Sequence, residues 1–323
     1  LIKTLQVTSS DLSNSVKRNG LKIGLETLGK VIKKGRVSDA TLDICKNSSL
    51  PTLTLNLLRN LCRSDILGDI QDLVKELLHC VAELSKIFFT RAHGIDPLFQ
   101  RAIVPILAQL LRMHDLKAIQ VAALKCLGSF VCQACIVPIR SQNLYRDLLD
   151  QNIVTLLCQK LQSPSSAPVT AVQQVSVQTI SMLINPAFGS QFSFPWMRGP
   201  HDQLIEYNDA VNSFETIRLT VYKCFTEFDF IDTLMKIYHA ENEAEHLMTK
   251  MAVMRTISQL TRIKKDNLVS LGLSHLQAPS ELMLQNKTIV HTLNQTLTAS
   301  RDHILKAIAL LIKHQLLKML MRS

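Results

Sequence analysis

Cys132-Gln133-Ala134-Cys135 is the one C-x-x-C pair in the chain, a spacing at which two thiolates can share a metal ion or close a disulfide. Zinc needs two further ligands, and no second pair accompanies this one. A redox pair belongs beside a βαβ unit, which the sequence lacks, so both thiols are expected to pack as small hydrophobes at a helix end. The 10 histidines are scattered without H-E-x-x-H, and no G-x-S-x-G, G-x-x-x-x-G-K-[ST] or G-x-G-x-x-G stretch occurs. Glu241, Glu243 and Glu245 crowd a short polar turn and read as a solvated loop rather than an acid–base pair. These residues point away from catalysis, and no metal or cofactor is expected.

The elements that carry these residues repeat. Ile103-Val104-Pro105-Ile106-Leu107-Ala108-Gln109-Leu110-Leu111 returns at Ile153–Leu161 and again at Ile289–Leu297, with the shared pattern I-V-x-x-L-x-Q-x-L. Its apolar positions share one side of a helix at 3.6 residues per turn. A second helical segment follows the first two copies, at Ala123–Val131 and Ser176–Ile184. The first segments lie 50 residues apart and the second 53, the extra residues falling in the turn at Ser163-Pro164-Ser165-Ser166. The unit is helix, turn, helix, and a period of this size marks a stacked repeat.

These units resemble the armadillo family, whose repeat opens with a turn glycine and I-P-x-L-V-x-L-L and closes with A-L-x-N-L. Gly68-Asp69-Ile70-Gln71-Asp72-Leu73-Val74-Lys75-Glu76-Leu77-Leu78 matches the opening, and Leu58-Arg59-Asn60-Leu61-Cys62 the closing helix before it. Pro105 falls at the family's helix-opening proline, Gly272-Leu273-Ser274-His275-Leu276 looks like another opening, and Met254–Leu260 resembles Val177–Leu183. The resemblance implies an all-α, right-handed superhelical solenoid of armadillo/HEAT-like repeats.

Periodicity divides the chain into a first helical block over 1–184, an aromatic, Pro- and Gly-rich loop or linker over 185–212, and a second block over 213–323. Within these, 21–33 forms an amphipathic helix with Leu21, Leu25, Leu28 and Ile32 on one face. Apolar positions from Ile66 to Phe88 give one long helix or two with a bend, and a final helix runs from an N-cap at Ser300 to about Leu320. The chain opens on Leu with no signal segment and reads as a piece of a longer polypeptide.

In the armadillo resemblance, the Asn of A-L-x-N-L lines a groove and bonds the backbone of an extended peptide, as an amide can by donating and accepting at once. Asn60 matches, but later units carry Cys126, Thr179 and Thr256, so the ladder is broken. One position earlier stand Arg59, Lys125, Gln178 and Arg255, which the repeat would place in a row. They are either solvated long side chains or a groove for an acidic segment. Phe192, Phe194 and Trp196 either cover the repeats or anchor a partner.

With 47% hydrophobic residues and a net charge of +10, the chain has ample core, and its charge allows acidic proteins, nucleic acid or anionic surfaces. No apolar run approaches the roughly 18 residues of a membrane span. The 8 cysteines sit mostly inside apolar helices, which favours an intracellular, cytoplasmic setting, with cytoskeletal, centrosomal or ciliary association among the options. The expected function is a non-catalytic protein-interaction scaffold. The alternatives are a nucleic-acid or anionic-surface binder, or the regulatory arm of a larger enzyme such as a kinase.

Overall fold

Leu21, Leu25 and Leu28 are buried along one stripe of the first helix, as their i, i+4, i+7 spacing requires, and the same logic builds the rest of the chain. The computed structural model describes residues 14–34, 50–62, 67–89, 97–136, 142–162, 168–184, 201–227, 230–240, 247–263, 268–269 and 273–321. Its helices are α1 (Ser15–Lys34), α2 (Leu50–Cys62), α3 (Gln71–Phe89), α4 (Pro97–Arg112), α5 (Lys117–Ile136), α6 (Gln142–Asp150), α7 (Ile153–Leu161), α8 (Ala171–Leu183), α9 (His201–Glu227), α10 (Phe230–His239), α11 (Leu247–Leu260), α12 (Pro279–Gln285), α13 (Lys287–Ala299) and α14 (His303–Leu320). No strand occurs among the described residues. The fold is all-α and built of armadillo-like helical repeats.

The chain divides into two compact units, residues 1–153 and 154–323. In the first, α1, α3 and α5 stack side by side as one layer, α2, α4 and α6 form the other, and α2 packs on α3 as α4 packs on α5. Leu58, Leu61, Leu77, Leu78, Leu107 and Leu124 close the space between layers and are fully buried, each contributing about 1.5–3 kcal/mol of transfer free energy. In the second unit, α8, α11 and α14 form one layer and α9, α10 and α13 the other, with α8 on α9, α10 on α11 and α13 on α14.

This pairing reverses the expected roles of two helices. The segment after Gly68 stands in the layer of α5, and the helix carrying Arg59 and Asn60 stands in the layer of α4. Both are amphipathic, so local pattern fits either layer; stacking decides. The repeat length carries the same information, because 53 residues before Ala123 is Ile70, at the threshold of α3, and 50 before Ile103 is Leu53, inside α2.

Helix boundaries depart from expectation where caps and prolines act. α1 begins at Ser15, because the Asn14 side chain accepts the N–H groups of Val16 (2.9 Å) and Lys17 (3.3 Å). Residues 67–70 form a turn, where the Gly68 carbonyl accepts from Gln71 Nε2 at 3.1 Å, and a single helix follows it. Pro105 lies inside α4 rather than at its start, and Pro97 takes the first position, where a missing N–H costs nothing. Pro105 is exposed, so water can serve the carbonyl left free one turn earlier. Leu273–Leu276 is non-helical, and helix resumes at Pro279.

Ser300 closes α13 instead of opening α14. Its Oγ accepts the Asp302 N–H at 3.2 Å, and Asp302 Oδ1 accepts the Leu305 N–H at 2.7 Å, so the carboxylate does the capping two residues later. Of the stretch 185–212, residues 201–212 are helical and begin α9. His201–Asn212 is mostly polar, so no apolar stripe marks it in the sequence. At the close of α6, Asn152 adopts a left-handed φ of 55° and its N–H donates to Leu149 O at 2.9 Å, a helix stop that Asn tolerates.

A repeated device joins consecutive helices. Gln120, buried on α5, donates from Nε2 to the carbonyls of Leu111 (3.2 Å) and Met113 (2.6 Å) at the end of α4. Gln173 stands 53 residues later on α8 and donates to Leu161 O, the last residue of α7, at 2.8 Å. Each amide satisfies carbonyls that a helix end leaves without an intrahelical donor.

Candidate functional site

Small residues on facing helices open a groove on the first unit. Between α3 and α5, Ala82, Ala122 and Ser129 replace bulkier side chains along the seam, leaving a cavity of about 490 Å3. Leu78 and Cys126 form its buried floor, and Lys75, His79, Glu83, Lys125 and Cys132 also line it. The helices are held in register beneath it by Ser129 Oγ, which donates to Ala82 O at 3.2 Å while Ser85 Oγ donates to the same carbonyl at 2.7 Å.

The charges over this groove are not equivalent. Lys75 Nζ sits 2.5 Å from Asp72, and Lys22 Nζ of α1 is 3.8 Å from the same carboxylate. The hydrogen bond from Lys75 and the charges of Lys75 and Lys22 hold the Asp72 carboxyl below its ordinary range. These are exposed pairs and contribute little to stability. Lys125 is exposed and forms no ion pair among the described residues. One ammonium free to meet a carboxylate therefore stands over a partly apolar floor.

Cys132 is free and exposed at one end of the groove, which corrects the expectation of a packed thiol there. The Cys135 side chain lies outside the described residues. The other described cysteines are buried thiols. Burial pushes the Cys62 thiol up to about 12 and does the same, with help from Glu76, at Cys80. It also raises Cys126, and a hydrogen bond with Cys224 followed by burial raises Cys158. A protonated buried thiol is a poor nucleophile.

The residues expected to form one basic row do not all share a surface. Arg59 and Asn60 are on α2, in the layer opposite Lys125, and the Arg59 guanidinium reaches its own helix at Asn56 Oδ1, 3.4 Å away. In the second unit, Gln178 on α8 donates to Thr249 Oγ1 on α11 at 2.9 Å, so its amide fastens two neighbouring helices. Arg255, also on α11, is half-buried. Phe192, Phe194 and Trp196 lie outside the described residues. Lys75, 50 residues before Lys125, is the groove cation that sequence reading passed over. Counting back 53 residues from Lys125, the period of the α5-type helices, leads to Asp72, three residues short of it.

The fold has solved counterparts. A designed armadillo repeat protein in complex with the peptide (KR)4 superposes with a TM-score of 0.52 at 9% identity, covering 98% of this chain and 97% of that one. Computationally designed armadillo repeat proteins for modular peptide recognition give 0.52 at 10% identity, with 97% of each chain covered. At such identity the likeness is one of fold. No protein-family model matches the sequence, and no curated protein matches it. Among the described residues, no helix is long and apolar enough to cross a membrane.

Proposed function

We propose that the chain is a non-catalytic interaction scaffold that seats an extended segment of a protein partner in the α3–α5 groove, with Lys125 meeting an acidic side chain of that segment. The observation that carries this reading is the groove itself: a buried floor of Leu78 and Cys126 beneath an ammonium that forms no ion pair among the described residues. Stacked repeats lend themselves to this, since one layer offers a continuous surface on which a chain can lie. The structural counterparts described for peptide recognition and with a bound peptide support the class of partner. The cargo differs in sign from (KR)4, because the matched positions in α5, α8 and α11 hold Cys126, Thr179 and Thr256 instead of a ladder of Asn, and the chain carries +10. The burial of most of the cysteines within apolar helices supports a reducing, intracellular setting.

Fluorescence polarisation with labelled eight-residue peptides of alternating Glu and Leu, or Lys and Leu, tests the reading. The acidic peptide is expected to bind, Lys125→Glu to weaken it about tenfold, and Ala122→Phe, which fills the groove, to abolish it. Binding of neither peptide would sink the proposal. Binding of a single-stranded oligonucleotide that collapses steeply with salt, without peptide binding, would transfer the function to nucleic acid.

A further inference from the structure

In the second unit, α10, α11, α13 and the turn entering α14 surround a cavity of about 650 Å3, lined among others by Tyr238, His239, Lys250, Ser300, Arg301 and Asp302. Its wall is tied together by hydroxyl bonds. Thr296 Oγ1 donates to Thr292 O at 2.7 Å, which leaves its oxygen to accept from the Tyr238 hydroxyl at 2.6 Å. His239 Nε2 lies 2.9 Å from Thr292 Oγ1, and Lys250 Nζ sits 5.6 Å from the centroid of the Tyr238 ring.

Positive charge dominates this cavity. Lys250 and Arg301 form no ion pair among the described residues. Asp302, the one carboxylate lining it among the described residues, spends an oxygen on the Leu305 N–H that it caps. Burial first, and then the nearby charges of Lys250 and His291, hold the His239 imidazole below its ordinary range. Ser300 Oγ accepts the Asp302 N–H, so its own proton is available to donate.

We propose that this cavity binds a phosphate monoester group, with Lys250 and Arg301 neutralising its two charges and the Ser300 hydroxyl donating to a third oxygen. Two free cations match a dianion, whereas a carboxylate would use only one. The site lies in the second unit and is independent of the α3–α5 groove.

Isothermal titration at constant ionic strength, with inorganic phosphate, a phosphoserine tripeptide and acetate, tests it. Saturable phosphate binding is expected, with acetate at least about tenfold weaker. Lys250→Gln and Arg301→Gln should each lose about tenfold, with Lys125→Gln unchanged as the groove control. Equal affinity for phosphate and tripeptide identifies a small phosphorylated molecule as the source, and a tripeptide about tenfold tighter identifies a phosphorylated side chain. Arg301 is exposed, so its variant keeps the fold, which a far-UV melt verifies. Absence of saturable binding, affinity untouched by both substitutions, or acetate equal to phosphate overturns the proposal. So does an oligonucleotide that binds more tightly than phosphate through the same two residues, which would make the ligand a phosphodiester.

Discussion

Replacing Gln173 by Met keeps the volume of a buried side chain while deleting its polar end. In the wild type the amide donates to Leu161 O at 2.8 Å and accepts from the Thr170 N–H at 2.8 Å, the second bond belonging to the capping box that starts α8. Gln173 is only 2% exposed, so water reaches the Leu161 carbonyl poorly once the amide is gone. A buried acceptor left unpaired costs about 1–3 kcal/mol. Thr170 is exposed, so its N–H rehydrates and adds about 0.5 kcal/mol. The expected loss is about 1.5–3.5 kcal/mol, or roughly 3–14 °C in the melting of a unit of this size. Urea denaturation followed by far-UV circular dichroism reads it, with Gln174→Met, half-buried on the same helix, staying within about 0.5 kcal/mol of wild type. Gln120→Met should behave alike in the first unit, since it strands two carbonyls. If Gln173→Met costs no more than Gln174→Met, the interhelical amide is ornamental and the reasoning fails.

Leu77→Ala removes a side chain with no solvent exposure between the layers of the first unit and should cost about 2–5 kcal/mol by denaturant titration. Alkylation mapped by mass spectrometry should find, among the described cysteines, rapid modification at Cys132 alone, with Cys62 and Cys80, pushed up to about 12, protected until unfolding. The depressed His239 makes the folded state prefer the neutral ring. The unfolded chain then binds more protons as pH falls through the ordinary histidine range, so this stabilising contribution is complete above that range and lost below it. Stability curves from pH 7.5 to about pH 5 should therefore fall less in His239→Gln than in wild type, and an equal fall would refute the assignment.

Much of this protein is legible in its sequence. The copies of I-V-x-x-L-x-Q-x-L became α7 and parts of α4 and α13, because an apolar stripe at helical spacing has one stable solution, a helix with that face buried. Their period marked a stacked repeat, and the resemblance of Gly68–Leu78 and Leu58–Cys62 to the armadillo motif implied its class. Local caps could also be read, but only against the right partner: Asp302 rather than Ser300 opens α14 because its carboxylate, three residues before Leu305, meets that N–H.

What the tertiary structure alone decided is which helices stand side by side. An amphipathic segment specifies a buried face without saying which neighbour covers it, so α2 and α3 exchanged the roles that their local motifs suggested. Arg59 and Asn60 thereby left the surface of Lys125, and Lys75 and His79 joined it. The cavity of Lys250 and Arg301 joins residues about 50 apart in sequence. Neither cation belongs to a motif, since charge convergence is a property of packing and leaves no periodic trace in the chain.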